Sequence, residues 1–444
     1  MTFARQNNDC LIKQNMTDLK VTVRKIAVCG VSNRAIKLFI GPLAQRPHSP
    51  VRIAALLDPD PLRFEVCKRR HPEHAHLPCY RDADFQTMLA EVQPDALYIS
   101  GIDSTHTPYI LAGLKAGLDV VVEKPMVTTW TDCLRVLEAE RTSTGKVHVA
   151  FNFRYAPLHR TIKNLLRENR IGKVLQVNME YFLDPFHGAS YFKRWHRQRA
   201  NSGGLAVHKA CHHFDLIGWW LEQAPRQVSA FGALNYYGPD SEHKPVHAAP
   251  GLHCSDCTAR PSCRYDQFHK KHLDTADKDG YTGVRNGQEY GTYRPDACVF
   301  DPAIDIEDTY VAAVRFDGGA MLSYSLNFSA PFEGYRLSIT GTQGRLETQV
   351  FLHTQRIDAS VPKGHTVQIF GLFGGMETID VPVENGGHLG GDAGLLRDLT
   401  TLNACYDTDS ILAGAREGAI SVAVGDAINR SILEQKIITI PSIS

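Results

Sequence analysis

The densest group of chemistry-bearing side chains lies in the run SGGLAVHKACHHFDLIGWWL, where His208, Lys209, His212, His213 and Asp215 fall within eight residues. Positions 208, 212 and 215 are spaced four and three apart, the repeat of one helix face, so they are expected to enter one cleft together. Lys209 and His213 form a second polar line beside them. A single histidine on a helix is ordinarily packed core, but five ionisable groups in so short a run are costly to bury without a use. Imidazoles suit general acid and base work near neutral pH. The His208/His212 spacing would also suit a catalytic metal, although Asp215 is the sole acidic residue nearby to complete its ligands.

A second group is Glu123-Lys124-Pro125, at the end of an apolar run, preceded by SGIDSTHTP with Ser100, Asp103 and His106. Taken alone, Lys124 before Pro125 reads as a surface strand stop. If both runs are strands of an open parallel sheet, their carboxyl ends form the ligand crevice and these residues face a cofactor. A lysine on the rim of such a crevice can polarise a substrate hydroxyl.

Upstream, a strand ends at Gly30 and is followed by Val31, Ser32, Asn33, Arg34 and Ala35. Backbone N–H groups at this place can meet a pyrophosphate, although Ser32 and Ala35 replace the second and third glycines of the usual fingerprint. Asp58 ends the next strand, where a carboxylate would bond the adenosine ribose hydroxyls. That favours NAD over NADP, because it would repel a 2'-phosphate.

The segment DPFHGASYFKRWHR brings Asp184, His187, Tyr191 and Trp195, a mixture of flat aromatic and hydrogen-bonding groups that suits a polyhydroxylated ring. Tyr335 and His388 are further candidates of this kind. Cys254, Cys257, Cys263 and Cys298 lie in a long polar stretch from about 236 to 300, and C-x-x-C spacing allows a closed zinc or iron–sulfur site. The remaining seven of the eleven cysteines are scattered, as free thiols in a reducing compartment are.

These residues require a particular frame. The runs VRKIAVCG, VRIAALLD, ALYISG, DVVVEK and VHVAFN alternate with amphipathic stretches, which predicts an N-terminal Rossmann domain over 23–150 with a parallel sheet. Residues 151–444 read as an α+β domain with a large, mostly antiparallel open sheet, ending in a surface helix through ILAGAREGAISVAVGDAINRSILEQ and a last strand, KIITI. Residues 1–22 are expected to be a loose extension. With 48 basic and 48 acidic side chains, no net field favours nucleic acid or an anionic membrane surface. No apolar run reaches a bilayer span, so the chain is expected to be cytoplasmic, acting on a small carbohydrate.

The strand–Gly turn, Glu123-Lys124-Pro125, Asn152-Phe153-Arg154, Gly203-Gly204 with His212 and Asp215, and the turn Gly341–Glu347 together resemble the Gfo/Idh/MocA oxidoreductases. The resemblance covers nearly all of the chain after Val23. It implies that Lys124 and His212 are the catalytic pair, that Asn152 meets the cofactor and Arg154 the substrate, and that the second domain builds a homodimer or homotetramer. His208 stands where many members have an Asp, which marks a distinct subgroup. Hydride transfer between nicotinamide and a secondary hydroxyl of a sugar, glycoside or polyol is the expected activity. The alternatives are cleavage through transient sugar oxidation by tightly held NAD, and an inactive dinucleotide-binding protein.

Overall fold

The computed structural model describes residues 23–46, 49–245, 253–266, 291–352, 364–384, 387–400 and 411–442. The expected extension 1–22 lies outside them.

Near-continuous apolar runs form the central strands, buried on both faces, and a two-residue edge strand, Cys79–Tyr80, is half-buried. These are β1 (Arg24–Cys29), β2 (Val51–Leu57), β3 (Cys79–Tyr80), β4 (Ala96–Ile99), β5 (Asp119–Val122) and β6 (Val147–Val149). They pair in parallel in the order 6-5-4-1-2-3, which puts their carboxyl ends, and the loops after β1, β4 and β5, on one edge.

The second sheet contains β7 (Val174–Phe182), β8 (Pro225–Ala233), β9 (Thr309–Phe316), β10 (Met321–Asn327), β11 (Glu333–Gly341), β12 (Gly344–Leu352), β13 (His365–Gly371) and β14 (Met376–Val381). All neighbours are antiparallel except β7 and β10. Strict alternation, as in the TYVAAVRF of β9, leaves one face covered and the other open. The covered face packs with the helices Pro157–Arg167 and Cys211–Leu221 in the largest core.

Three features differ from the expectation. The chain returns to the first domain near its end: β15 (Ala413–Gly414) pairs antiparallel with β6, and Leu395, Leu396 and Leu399 join the Rossmann core. The helix Ala415–Glu434 is not a surface helix. Its first turns pack in one core and Ala423, Val424, Ala427 and Ile428 in another, before β16 (Ile438–Thr439) closes the second sheet beside β8. Small residues make this possible: a side chain at Gly425 would put its Cβ 2.5 Å from the Ala206 carbonyl oxygen. Third, the histidine run is not one helix. Leu205–His208 and Cys211–Leu221 are separated by a turn at Lys209 and Ala210.

Candidate active site

At the end of β1, Gly30 adopts φ +93°, and a Cβ there would lie 2.6 Å from the Gly101 nitrogen. Only glycine fits so close an approach of the β1 and β4 loops. Ser32 has the role of a cap rather than of a spacer: its Oγ accepts from the Ala35 N–H at 3.1 Å and pairs with Ser100 Oγ at 2.7 Å. Asp58 accepts the Val31 and Asp60 N–H groups at 2.7 and 2.9 Å. Burial pushes its carboxyl up, and these two donors oppose the shift. Each oxygen retains a lone pair that a ribose hydroxyl could use, so the residues present fit a dinucleotide. Asn33 faces Arg63, which donates to its Oδ1 at 2.8 Å and to the Val31 carbonyl at 2.9 Å.

Arg34, expected at the cofactor, is engaged in two ion pairs. It donates to Glu123 at 3.0 Å and to Asp392 at 2.9 Å. Glu123 also accepts from the Tyr98 hydroxyl at 2.9 Å, and Asn152 donates to Asp392 at 2.6 Å. Burial alone would raise the Asp392 carboxyl, but His388 and Arg34 hold it well below the usual range. Asp392 is a residue the sequence reading missed. Glu123 and Asn152 thus brace the crevice from below, while the Asn152 Oδ1 is buried without a partner.

Lys124 follows, joined to Pro125 by a cis peptide bond, and its Nζ donates to the His208 carbonyl at 3.3 Å. His106 anchors the same turn through Nδ1 and the Pro125 carbonyl, 3.0 Å apart. Asp103, expected at the cofactor, instead meets the His208 ring at 2.5 Å. Burial pushes the Asp103 carboxyl up and the His208 imidazolium down. The carboxylate that the helix lacks at position 208 therefore arrives from the loop after β4.

His212 stacks on Phe153, ring centroids 4.5 Å apart, and its Nδ1 is buried with no partner. Burial first, then the positive charge of Lys124, drives its imidazolium well below the ordinary range, so the ring is neutral at pH 7. Lys209 lies 5.0 Å over the Tyr181 ring, and burial lowers its ammonium to about 8. Around His208 gather Tyr191 at 5.6 Å and Trp195 at 5.5 Å between ring centroids. His196, from the same DPFHGASYFKRWHR segment, lies between Trp195 and His208 at 3.8 and 4.4 Å. Tyr191 also reaches His187, whose Nδ1 meets Glu333 at 2.9 Å.

Other expected substrate groups are spent on the scaffold. Arg154 makes a two-pronged ion pair with Asp215, at 2.8 and 2.6 Å, buried from solvent. Asp215 thus leaves the cleft face it was expected to share. His213 pairs with the Tyr324 hydroxyl at 2.7 Å, and Tyr335 with His159 at 2.8 Å, both inside the core. Asp184 caps the helix Pro185–Lys193 by accepting from the His187 N–H at 2.8 Å. The four cysteines lie behind the Lys193–Arg197 turn, all as free thiols.

Among the described residues, no helix is long and apolar enough to cross a membrane. Residues 24–151 match the family model described as "Oxidoreductase family, NAD-binding Rossmann fold", and residues 163–440 that described as "Oxidoreductase family, C-terminal alpha/beta domain". A Bacillus subtilis (strain 168) protein named for an oxidoreductase, YteT, is 49% identical over 416 residues, 93% of this chain and 97% of its own. An inositol 2-dehydrogenase of Acidothermus cellulolyticus is 27% identical over 44% of this chain and 53% of its own. Among solved structures, scyllo-inositol dehydrogenase from Lactobacillus casei, with bound NAD(H) and scyllo-inositol, superposes with a TM-score of 0.62 at 17% identity. That match covers 95% of this chain and 100% of the other, and it shows the shared fold. With a Rossmann crevice, an open-sheet second domain and both family models matched in sequence order, this chain belongs to the Gfo/Idh/MocA oxidoreductase family.

Proposed function

We propose that the chain is an NAD(H)-dependent dehydrogenase acting on a secondary hydroxyl of a sugar, glycoside or polyol, with Lys124 and His212 as its catalytic pair. The observation that carries this reading is the 3.3 Å bond from Lys124 Nζ to the His208 carbonyl, which fastens the end of a Rossmann strand to the histidine-bearing segment. Inositol dehydrogenases among the relatives and structural neighbours support a polyol. Asp58 supports NAD over NADP, with its carboxylate held in the turn beside Val31.

When bound, the nicotinamide supplies a ring carbon that exchanges hydride with substrate. His212, neutral and with Nδ1 unpartnered, takes the hydroxyl proton. The Lys124 amine donates to the oxygen on which negative charge grows. Asp103 bonds the His208 ring and so brings a carboxyl group to the position that a helix carboxylate fills in many family members. Lys209, His187, Tyr191 and Trp195 hold the remaining hydroxyls and the ring face.

The test is to follow reduced-nicotinamide absorbance over a panel of inositols, aldoses and glycosides. Reduction by at least one of them, lost in Lys124→Ala, is expected. Product without accumulating reduced cofactor would instead favour cleavage through transient oxidation. Tight NAD binding with no turnover across the panel would favour an inactive dinucleotide-binding protein.

A further inference from the structure

We propose that Cys254, Cys257, Cys263 and Cys298 bind one structural zinc ion, which fastens the insertion 236–300 to the wall of the candidate active site. Nothing in the proposed oxidoreductase chemistry uses these residues. The four thiols come from two separate stretches of chain, yet all line one cavity of about 20 Å³, together with Pro245 and Phe300. None is tied up in a disulfide.

Backbone pairing brings the stretches together. His253 and Ala297 form an antiparallel bridge, and the Cys254 N–H donates to the Asp296 carbonyl at 2.7 Å. Cys254 to Cys257 is a single helical turn followed by an extended residue, and the Cys263 N–H closes on the Ala259 carbonyl at 2.9 Å. Two thiols on one tight turn, a third shortly after it and a fourth from a paired strand is the donor arrangement of closed four-thiolate zinc sites. The spacing, C-x2-C-x5-C followed by a distant Cys298, differs from both common iron–sulfur runs.

Among the described residues, no three such side chains already stand at ligating distance. Closing the site therefore requires the thiols to rotate into the cavity they share, to about 2.3 Å from the metal. Each of the four gives up its proton to solvent as its bond to zinc forms, leaving a centre of net charge minus two with no change of oxidation state. Arg260 lines the cavity, paired at 3.1 Å with Asp266, which lines it too.

The site would matter to catalysis through position. The Ala297 N–H donates to the Lys193 carbonyl at 3.1 Å, and Arg197 bonds both the Cys298 carbonyl and the Asp301 carboxylate. Trp195, which flanks His208, donates its backbone N–H to the Tyr293 hydroxyl at 3.0 Å. A metal at Cys298 thus holds the turn that carries Trp195 and His196.

The experiment is elemental analysis of the full chain, purified without added metal or chelator. A mercurial titration with a zinc-sensitive dye is run in parallel. About one zinc per chain, released in step with modification of about four thiols, is expected. Cys257→Ser and Cys263→Ser should each hold less than about a tenth as much zinc. Because either variant could misfold, the wild-type content and the mercurial release decide independently. Metal-free protein with all four thiols open to alkylation would overturn the proposal. So would a disulfide among them in peptide mass maps, or iron with acid-labile sulfide.

Discussion

The two walls of the candidate cleft handle their buried polar groups differently. On the Rossmann wall, charges are kept and paired: Arg34 bridges Glu123 and Asp392, Asn152 adds a donor, and Asp58 is held by two N–H groups. On the facing wall, three imidazoles lose their charge, while Lys209 and the Arg154–Asp215 pair keep theirs. His208, His212 and His213 are all driven toward the neutral form, first by burial, and both His212 and His213 keep a buried nitrogen without a partner. Paired ions fix a shape, whereas a neutral, unpartnered imidazole can take a proton. The proposed function puts the reaction at His212 on the second wall, to which Lys124 is bonded through the His208 carbonyl.

The largest expected effect comes from removing the junction. Lys124→Ala and His212→Ala should each lower kcat by about 10²- to 10⁴-fold while NAD binding survives, read by steady-state kinetics and by calorimetric titration of the cofactor. Turnover near normal in both would break the comparison at its centre.

Next is the scaffold. Arg154→Met strands Asp215 in the core, so stability should fall by about 3–5 kcal/mol in a denaturant titration, with KM of the surviving enzyme little changed. A raised KM with intact stability would return Arg154 to the substrate.

A smaller loss is expected on the Rossmann wall. Asp58→Ala should weaken NAD about 10-fold and leave kcat close to wild type. Unchanged NAD affinity would mean that the carboxylate serves the turn alone.

The smallest effect is a pH limb. Lys209, at about 8, is an ammonium below that value and neutral above it. If the ammonium donates to a substrate hydroxyl, KM should rise a few-fold as pH crosses about 8, and Lys209→Met should flatten the curve. Since its folded value lies below the ordinary lysine value, the unfolded chain binds more protons between about pH 8 and 10. Stability should therefore rise with pH in that window, and the substitution should abolish the rise.

Much of this arrangement was legible in the chain. Gly30, Asp58 and Glu123-Lys124 lie at the carboxyl ends of buried strands, and continuous apolar runs announce those strands locally. The histidine spacing located the opposite wall. Its helix break did not register, because Lys209 and Ala210 are ordinary helix formers and the turn is imposed by packing. Asp392 went unseen, since it meets Arg34 and Asn152 across 358 and 240 positions and no local pattern marks such a pairing. Arg154 and Asp215 meet in one buried ion pair across 61 positions, which no local pattern marks either. The helix Ala415–Glu434 did carry a signal, small residues on several faces, which should have been read as close packing on more than one side.

The most direct measurement is a crystal structure of the chain with NAD and a polyol or sugar that it reduces or oxidises. The account predicts one substrate hydroxyl within hydrogen-bonding reach of both Lys124 Nζ and the His212 ring, its carbon facing the nicotinamide. A nicotinamide bound at a distance from these two side chains, or a reactive hydroxyl served by other residues, would contradict it.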